Sequence, residues 1–230
     1  SVSVKLSALH PRYEWVKRER AREELFPRVL ALATAAKAGN IGLTIDAEEA
    51  DRLELSLDLF ERLAGEKSLA GWNGLGLAVQ AYQKRAFSVL ALLEDIARCT
   101  SRRIPVRLVK GAYWDSEIKR AQIAGLSGYP VFTRKLATDT NYLACARFML
   151  ARRSIFYPQF ATHNAHTVAA ILAFSGGNLD FEFQRLHGMG APLYDHLLAE
   201  FQAHAPVRFY APVGGHDVLF VYLVRLFLDN

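Results

Sequence analysis

Seven short apolar runs, each closing on a polar or charged residue, constrain the fold of this chain more than any other feature of its sequence. Ser3–Leu9 carries Lys5, Ile41–Asp46 ends in Asp46, Leu75–Ala81 carries Gln80, and Val106–Lys110 carries Arg107 and Lys110. Tyr157–His163 ends in His163, Phe181–His187 carries Gln184 and His187, and Val207–Val213 carries Tyr210. Runs of this length read as buried strands, and most precede an amphipathic stretch of helical period. Strand–helix units of roughly 30 residues, with reactive side chains gathered where parallel strands end, predict an α/β fold of the (β/α)8 TIM-barrel type with its site at the C-terminal face. The 230 residues are 51% hydrophobic, enough for one large core, so a single domain over 1–230 is expected. Seven runs are one short of a barrel and the first begins at the chain start. The expectation is therefore a distorted barrel lacking its first strand and helix, carried by a fragment of a larger protein.

The intervening stretches read as helices. Glu14–Lys37 is long and should bend or restart at Pro27, which lacks the amide and crowds the preceding turn. Ala47–Leu63 is the clearest amphipathic segment, with Glu48, Glu49 and Asp51 suited to a helix start. Asp115–Ala124 and Thr138–Ala151 share one long connection, and long connections on the active face often bind ligands.

Composition narrows the function classes. A net charge of +5 permits an anionic partner, yet the basic residues are spread over many helices, and Lys17–Arg22 reads as a solvated helix face; no nucleic-acid partner is expected. Cys99 and Cys145 have neither metal nor redox spacing, which suits a reducing cytoplasm. There is no signal-peptide pattern and no apolar run long enough to span a bilayer, although surface contact with a membrane is compatible with the sequence.

Five places carry chemistry. Arg107 to Trp114 puts two cations and a glycine at a strand end, which suits an anion or an electron-rich ring; the plainer reading pairs Arg107 with a neighbouring strand's carboxylate. Asp46 closes its strand and should face the barrel mouth. His163-Asn164-Ala165-His166 resembles half a metal site, but no matching ligands can be assigned on other strands, so no metal is expected. Lys5 and Lys110 also suit the Schiff-base lysine of an aldolase-type barrel. Finally, the apolar segment Asp217–Asp229 carries Tyr222, Arg225 and Asp229 on one face, either as a solvent stripe or as a lid offering Arg225 to a carboxylate.

Several segments together carry a family resemblance: SVKLSALHPRYE (Ser3–Glu14), IDAEEADRLELSLDLFE (Ile45–Glu61), VQAYQKR (Val79–Arg85), RLVKGAYWDSEIKRAQ (Arg107–Gln122), GYPVFTRK (Gly128–Lys135), YPQFATHNAHT (Tyr157–Thr167), FEFQRLHGMG (Phe181–Gly190) and YAPVG (Tyr210–Gly214). In order and over essentially the whole chain, they resemble the proline dehydrogenase domains of bacterial proline utilization A. The resemblance implies an FAD-dependent barrel that oxidises L-proline to 1-pyrroline-5-carboxylate by hydride transfer from proline C5 to flavin N5. Electrons then pass to a membrane quinone, in the first step of proline catabolism. It also implies fusion to a 1-pyrroline-5-carboxylate dehydrogenase domain, and a place in the cytoplasm or at the inner face of its membrane.

By matching motif, the resemblance places Arg107, Gln80 and Asp46 near the flavin ring, and Lys110, Gly111, Ala112, Tyr113 and Trp114 along the cofactor. Arg134, Lys135, His163, Asn164, Gln184 and Leu186 would hold its ribityl, phosphate and adenine parts. Lys5, Tyr210, Tyr222 and Arg225 would surround proline, with Arg107, Asp46, Lys5 and Tyr210 closest to the chemistry. One departure stands out: where the family motif is similar to YLVRRLLEN, this chain reads Tyr222-Leu-Val-Arg225-Leu226, so a second carboxylate-binding arginine is a leucine. The alternatives are a flavin- or ligand-binding scaffold of the same fold with impaired catalysis, and the lysine aldolase.

Overall fold

The structure, a computed structural model, describes residues 1–200, 206–211 and 213–214. Seven parallel strands form one sheet whose spatial order follows the chain: β1 (Val2–Val4), β2 (Leu43–Ile45), β3 (Leu75–Gln80), β4 (Ile104–Val109), β5 (Phe156–Ala161), β6 (Glu182–Leu186) and β7 (Val207–Tyr210). Helices alternate with them: α1 (Arg18–Ala38), α2 (Leu53–Ala64), α3 (Ala86–Thr100), α4 (Trp114–Ile123), α5 (Lys135–Leu150), α6 (Ala165–Ser175) and α7 (Ala191–Glu200). Parallel neighbours joined by helical crossovers are the arrangement of a distorted (β/α) barrel, as the run pattern predicts.

By its contacts the chain divides into two compact units. The first comprises Ser1–Val79, Ser88–Arg107 and Ser154–Tyr157. Here α1 packs on α2 through a stripe of buried side chains, Ala21, Leu25, Val29 and Ala33 at every fourth residue, with Leu55, Leu59 and Leu63 buried on α2. Leu25 is completely buried, and Leu25→Ala should cost about 2–5 kcal/mol in lost contact and residual cavity. The second comprises Gln80–Phe87, Leu108–Arg153 and Pro158–Asn230. Its core holds Phe160, Phe181, Phe183 and Tyr194, all four linked in a row by edge-on ring contacts that orient the flat side chains of β5, β6 and α7.

Several expected boundaries move. Helix α1 runs through Pro27 without a break. Pro27 and Glu23 both lie on the exposed face, so the carbonyl that loses its amide partner there can be met by water. The first strand ends at Val4, since Leu6–Ala8 turns into a 3-10 helix, and β7 ends at Tyr210. Before α2 the chain makes a 3-10 turn, Ala50–Arg52, so the regular helix starts at Leu53. The segment Asp217–Asp229, with Tyr222, Arg225, Leu226 and Asp229, lies outside the described residues.

Candidate functional site

The expected site residues that the structure describes cluster at one end of their strands. Lys5 follows β1, Asp46 follows β2, Gln80 ends β3, Lys110 follows β4, His163 lies just beyond β5, Leu186 ends β6 and Tyr210 ends β7. All are C-terminal ends of parallel strands, the end at which barrel sites are built.

In the first unit the geometry centres on Arg107. Register pairs Ser3 with Thr44 and Thr44 with Gly76, and the Asp46 amide extends the ladder to the Val4 carbonyl at 2.9 Å. Side chains of period two put Ser3, Thr44 and Asp46 on one face. Arg107 Nη1 donates to Asp46 Oδ1 at 2.7 Å, and Nη2 donates to Ser3 Oγ at 2.6 Å. In a flat sheet β4 would lie about 14 Å from β1, beyond an arginine's reach, so these bonds require the strands of this unit to curl. On that face β3 contributes Gly76 and Ala78, leaving no bulky side chain in between. Gly76 itself has no room for more, since a Cβ there would stand 2.7 Å from the Pro105 carbonyl oxygen.

Both charges of this pair are largely withdrawn from water, the side chains being 9% and 13% exposed. Each therefore depends on the other; Arg107 has a carboxylate partner, as the plainer sequence reading expects, but it comes from the end of β2, two strands away, and not from a neighbouring strand. Lys5 is half-buried where the chain leaves β1. Glu48, expected only as a helix-start residue, is buried, accepts from the Ser7 amide at 3.0 Å and pairs with Arg52 at 2.8 Å. It ties the Lys5 turn to the start of α2.

The second unit holds most of the residues expected along a cofactor. Gln80 Oε1 accepts from the Ala112 amide at 3.3 Å, which fixes the loop after β4 over the end of β3. Gly111 has φ +146°, and a Cβ there would stand 2.4 Å from the Tyr82 ring, so only glycine fits the turn. Tyr113 is buried against Tyr82 and Val131, while Trp114 donates its indole N–H to the Phe132 carbonyl at 2.8 Å. Lys110 is buried with its ammonium 2.6 Å from Asp139 Oδ1 of α5. Arg134 and Lys135 are exposed where α5 begins.

His163 Nε2 accepts from the Leu186 amide at 3.1 Å, which places the ring proton on Nδ1. Gly190, at φ +66°, allows its loop to approach the same ring: a Cβ there would be 2.9 Å from His163 Cδ2. His163 precedes α6 and His166 is exposed within it, so the two do not form the helical pair that a half metal site requires. Among the described residues no three His, Cys, Asp or Glu side chains group as metal ligands. Asn164 caps α6, its Oδ1 accepting from the Thr167 amide at 2.9 Å and from the Thr167 hydroxyl at 3.2 Å.

Gln184 is buried and donates to Glu182 Oε1 at 2.7 Å. The same carboxylate, 1% exposed, accepts from Gln159 at 2.9 Å and from Arg208 Nε and Nη2 at 2.8 Å each. Glu182 and Arg208 are thus part of the framework under Gln184, and sequence reading missed both, as it missed Ser3 and Asp139. Glu182 and Gln184 lie two apart on a strand, and that spacing was the available signal. Tyr210 accepts at its carbonyl from the His187 amide at 2.9 Å, closing the ends of β6 and β7.

A family model described as "Proline dehydrogenase" matches residues 1–230. The chain is 57% identical over 235 residues to "Bifunctional protein PutA" of Salmonella typhimurium, covering 100% of this chain and 18% of that protein. It is 55% identical over 232 residues to the protein of the same description from Rhizobium meliloti, covering 100% of this chain and 19% of the other. Among solved structures, a crystal structure of Bradyrhizobium japonicum Proline Utilization A (PutA) matches with TM-score 0.95 and 58% identity, over 98% of this chain and 23% of that one. The chain therefore spans less than a quarter of these relatives' length. No described helix is long and apolar enough to cross a membrane.

Proposed function

This chain belongs to the proline dehydrogenase family, and from that premise we propose that it is the flavin-dependent barrel domain of a longer protein, acting on L-proline. When bound, FAD supplies the hydride acceptor, N5, that turns proline into 1-pyrroline-5-carboxylate, and it passes electrons on to a membrane quinone. The observation that carries this reading is that Lys5, Asp46, Gln80, Arg107, Lys110, His163, Leu186 and Tyr210 each stand at or near the C-terminal end of their own parallel strand.

The donor set fits a flavin. Arg107 offers a cation whose charge Asp46 balances, suited to a ring that gains negative charge on reduction. The Gln80 amide oxygen accepts from the Ala112 N–H, which holds this polar side chain at the end of β3. Lys110, Gly111, Ala112, Tyr113 and Trp114 would line the cofactor, and Arg134, Lys135, His163, Asn164, Gln184 and Leu186 would hold its remaining parts. Lys5, Tyr210, Tyr222 and Arg225 would surround proline, the Arg225 guanidinium suited to its carboxylate. In the parent protein a 1-pyrroline-5-carboxylate dehydrogenase domain would take the hydrolysed product, in the cytoplasm or at the inner face of its membrane.

Anaerobic absorption spectra of the FAD-loaded protein, recorded before and after L-proline, test this. Bleaching of the flavin bands is expected, and a protein that takes up no flavin ends the reading. Leu226 favours a second reading, a scaffold that keeps flavin but reacts poorly: one lost charge-assisted anchor costs about 1.5–3 kcal/mol. Leu226→Arg should then tighten proline binding at least tenfold, and unchanged affinity would count against Arg225 facing the substrate.

A further inference from the structure

We propose that Ser3 is a positioning residue for Arg107, a role that rests on the flavin reading above. The guanidinium is held at two nitrogens by two acceptors on different strands: Asp46 after β2 takes Nη1, and Ser3 on β1 takes Nη2. One acceptor alone leaves the guanidinium free to swing about that bond. Two fix its plane and the direction of its charge.

The chemistry of the second acceptor matters. Asp46 already balances the cation, so a second carboxylate would leave the group net negative, whereas a hydroxyl oxygen orients the guanidinium and leaves the net charge of the pair unchanged. Ser3 touches no reacting atom by this assignment. It acts through Arg107, by keeping the cation directed at the negative charge that reduction places on the flavin. The side chain is short and β1 is only three residues long, so the hydroxyl stands on backbone fixed by the Ser3 to Thr44 pairing and cannot follow Arg107 if it moves.

The test is the midpoint potential of bound flavin, measured anaerobically in the flavin-loaded protein with Ser3→Ala, Ser3→Thr and Ser3→Val. Ser3→Ala should make the potential more negative by about 30 mV, which is tenfold in relative affinity for reduced over oxidised flavin in a two-electron couple. It should also lower kcat about tenfold with KM for proline changed less than twofold. Ser3→Thr, which keeps the hydroxyl and suits a strand, should restore the potential, and Ser3→Val, of the same shape without it, should not. The threonine and valine pair decides the matter even where alanine folds poorly. A potential that is the same in threonine and valine proteins overturns the role of Ser3 while flavin binding stands. Wild-type protein that takes up no flavin overturns the functional reading itself, a distinct outcome visible in the absorption spectrum.

Discussion

Lys110 and Asp139 meet as opposite charges 2.6 Å apart, the lysine almost wholly withdrawn from water and the aspartate about one third exposed. They are not aligned as a hydrogen bond, so charge adds to the Tyr142 hydroxyl bond to the Leu108 carbonyl in holding the end of β4 to α5. Asp139→Asn should destabilise by about 2 kcal/mol, less than a fully buried pair because water reaches one partner. Lys110→Met combined with Asp139→Leu should recover most of that loss. Urea unfolding of Lys110→Met, of Asp139→Leu and of the double variant checks this, and strictly additive losses would show that the pair does not interact.

Glu182 gathers four donors from three strands, so its charge is a structural requirement. Glu182→Gln would leave Arg208 without its two-point partner and turn two amide contacts toward a weaker acceptor. A loss of about 3 kcal/mol follows, or roughly 6–12 °C in a chain of this size. Because Gln184 is held by the same carboxylate, flavin content after purification should fall as well. A calorimetric scan and a flavin-to-protein absorbance ratio measure the two effects separately.

The two thiols should part company with pH. Burial pushes the Cys145 thiol up to about 12, whereas Cys99 is exposed. A raised folded value means that unfolding releases a proton once pH exceeds the unfolded value, so this contribution to stability is intact below about pH 9 and is lost as pH climbs toward 12. At pH 8.5, iodoacetamide should modify Cys99 and spare Cys145 in folded protein. Mass spectrometry of peptides would sink the assignment if both reacted at equal rates.

The alternation of strands and helices was legible because β3 to β5 are mostly apolar, as burial on both faces of a parallel sheet requires, and β3 to β6 end at or just before a polar residue, Gln80, Lys110, Thr162 and His187. The short strands were harder. Ser3–Leu9 looks like one strand because Leu6 and Leu9 continue its apolar character, but the chain turns after Val4 to bring Ser7 to the buried Glu48. Pro27 misled because the rule against proline in helices assumes that a stranded carbonyl cannot reach water. At the site, Arg107 and Asp46 were readable as opposite charges on nearby strand ends. Ser3, Asp139 and Arg208 were not, since a serine in a strand, an acid in a helix and an arginine before an expected tyrosine have no local signature. Each acquires meaning from a partner distant in sequence.

Gly111 also bears on how this chain can drift. Any replacement there meets two separate obstacles, the positive φ and the ring of Tyr82. A second mutation at Tyr82 could lift only the collision. In a genetic selection, suppressors of a Gly111 lesion should therefore be reversions to glycine, because φ +146° lies outside the left-handed well that asparagine or aspartate adopts and a small residue at 82 would not relieve it. Glycine at 111 is thus held in place whatever stands at 82.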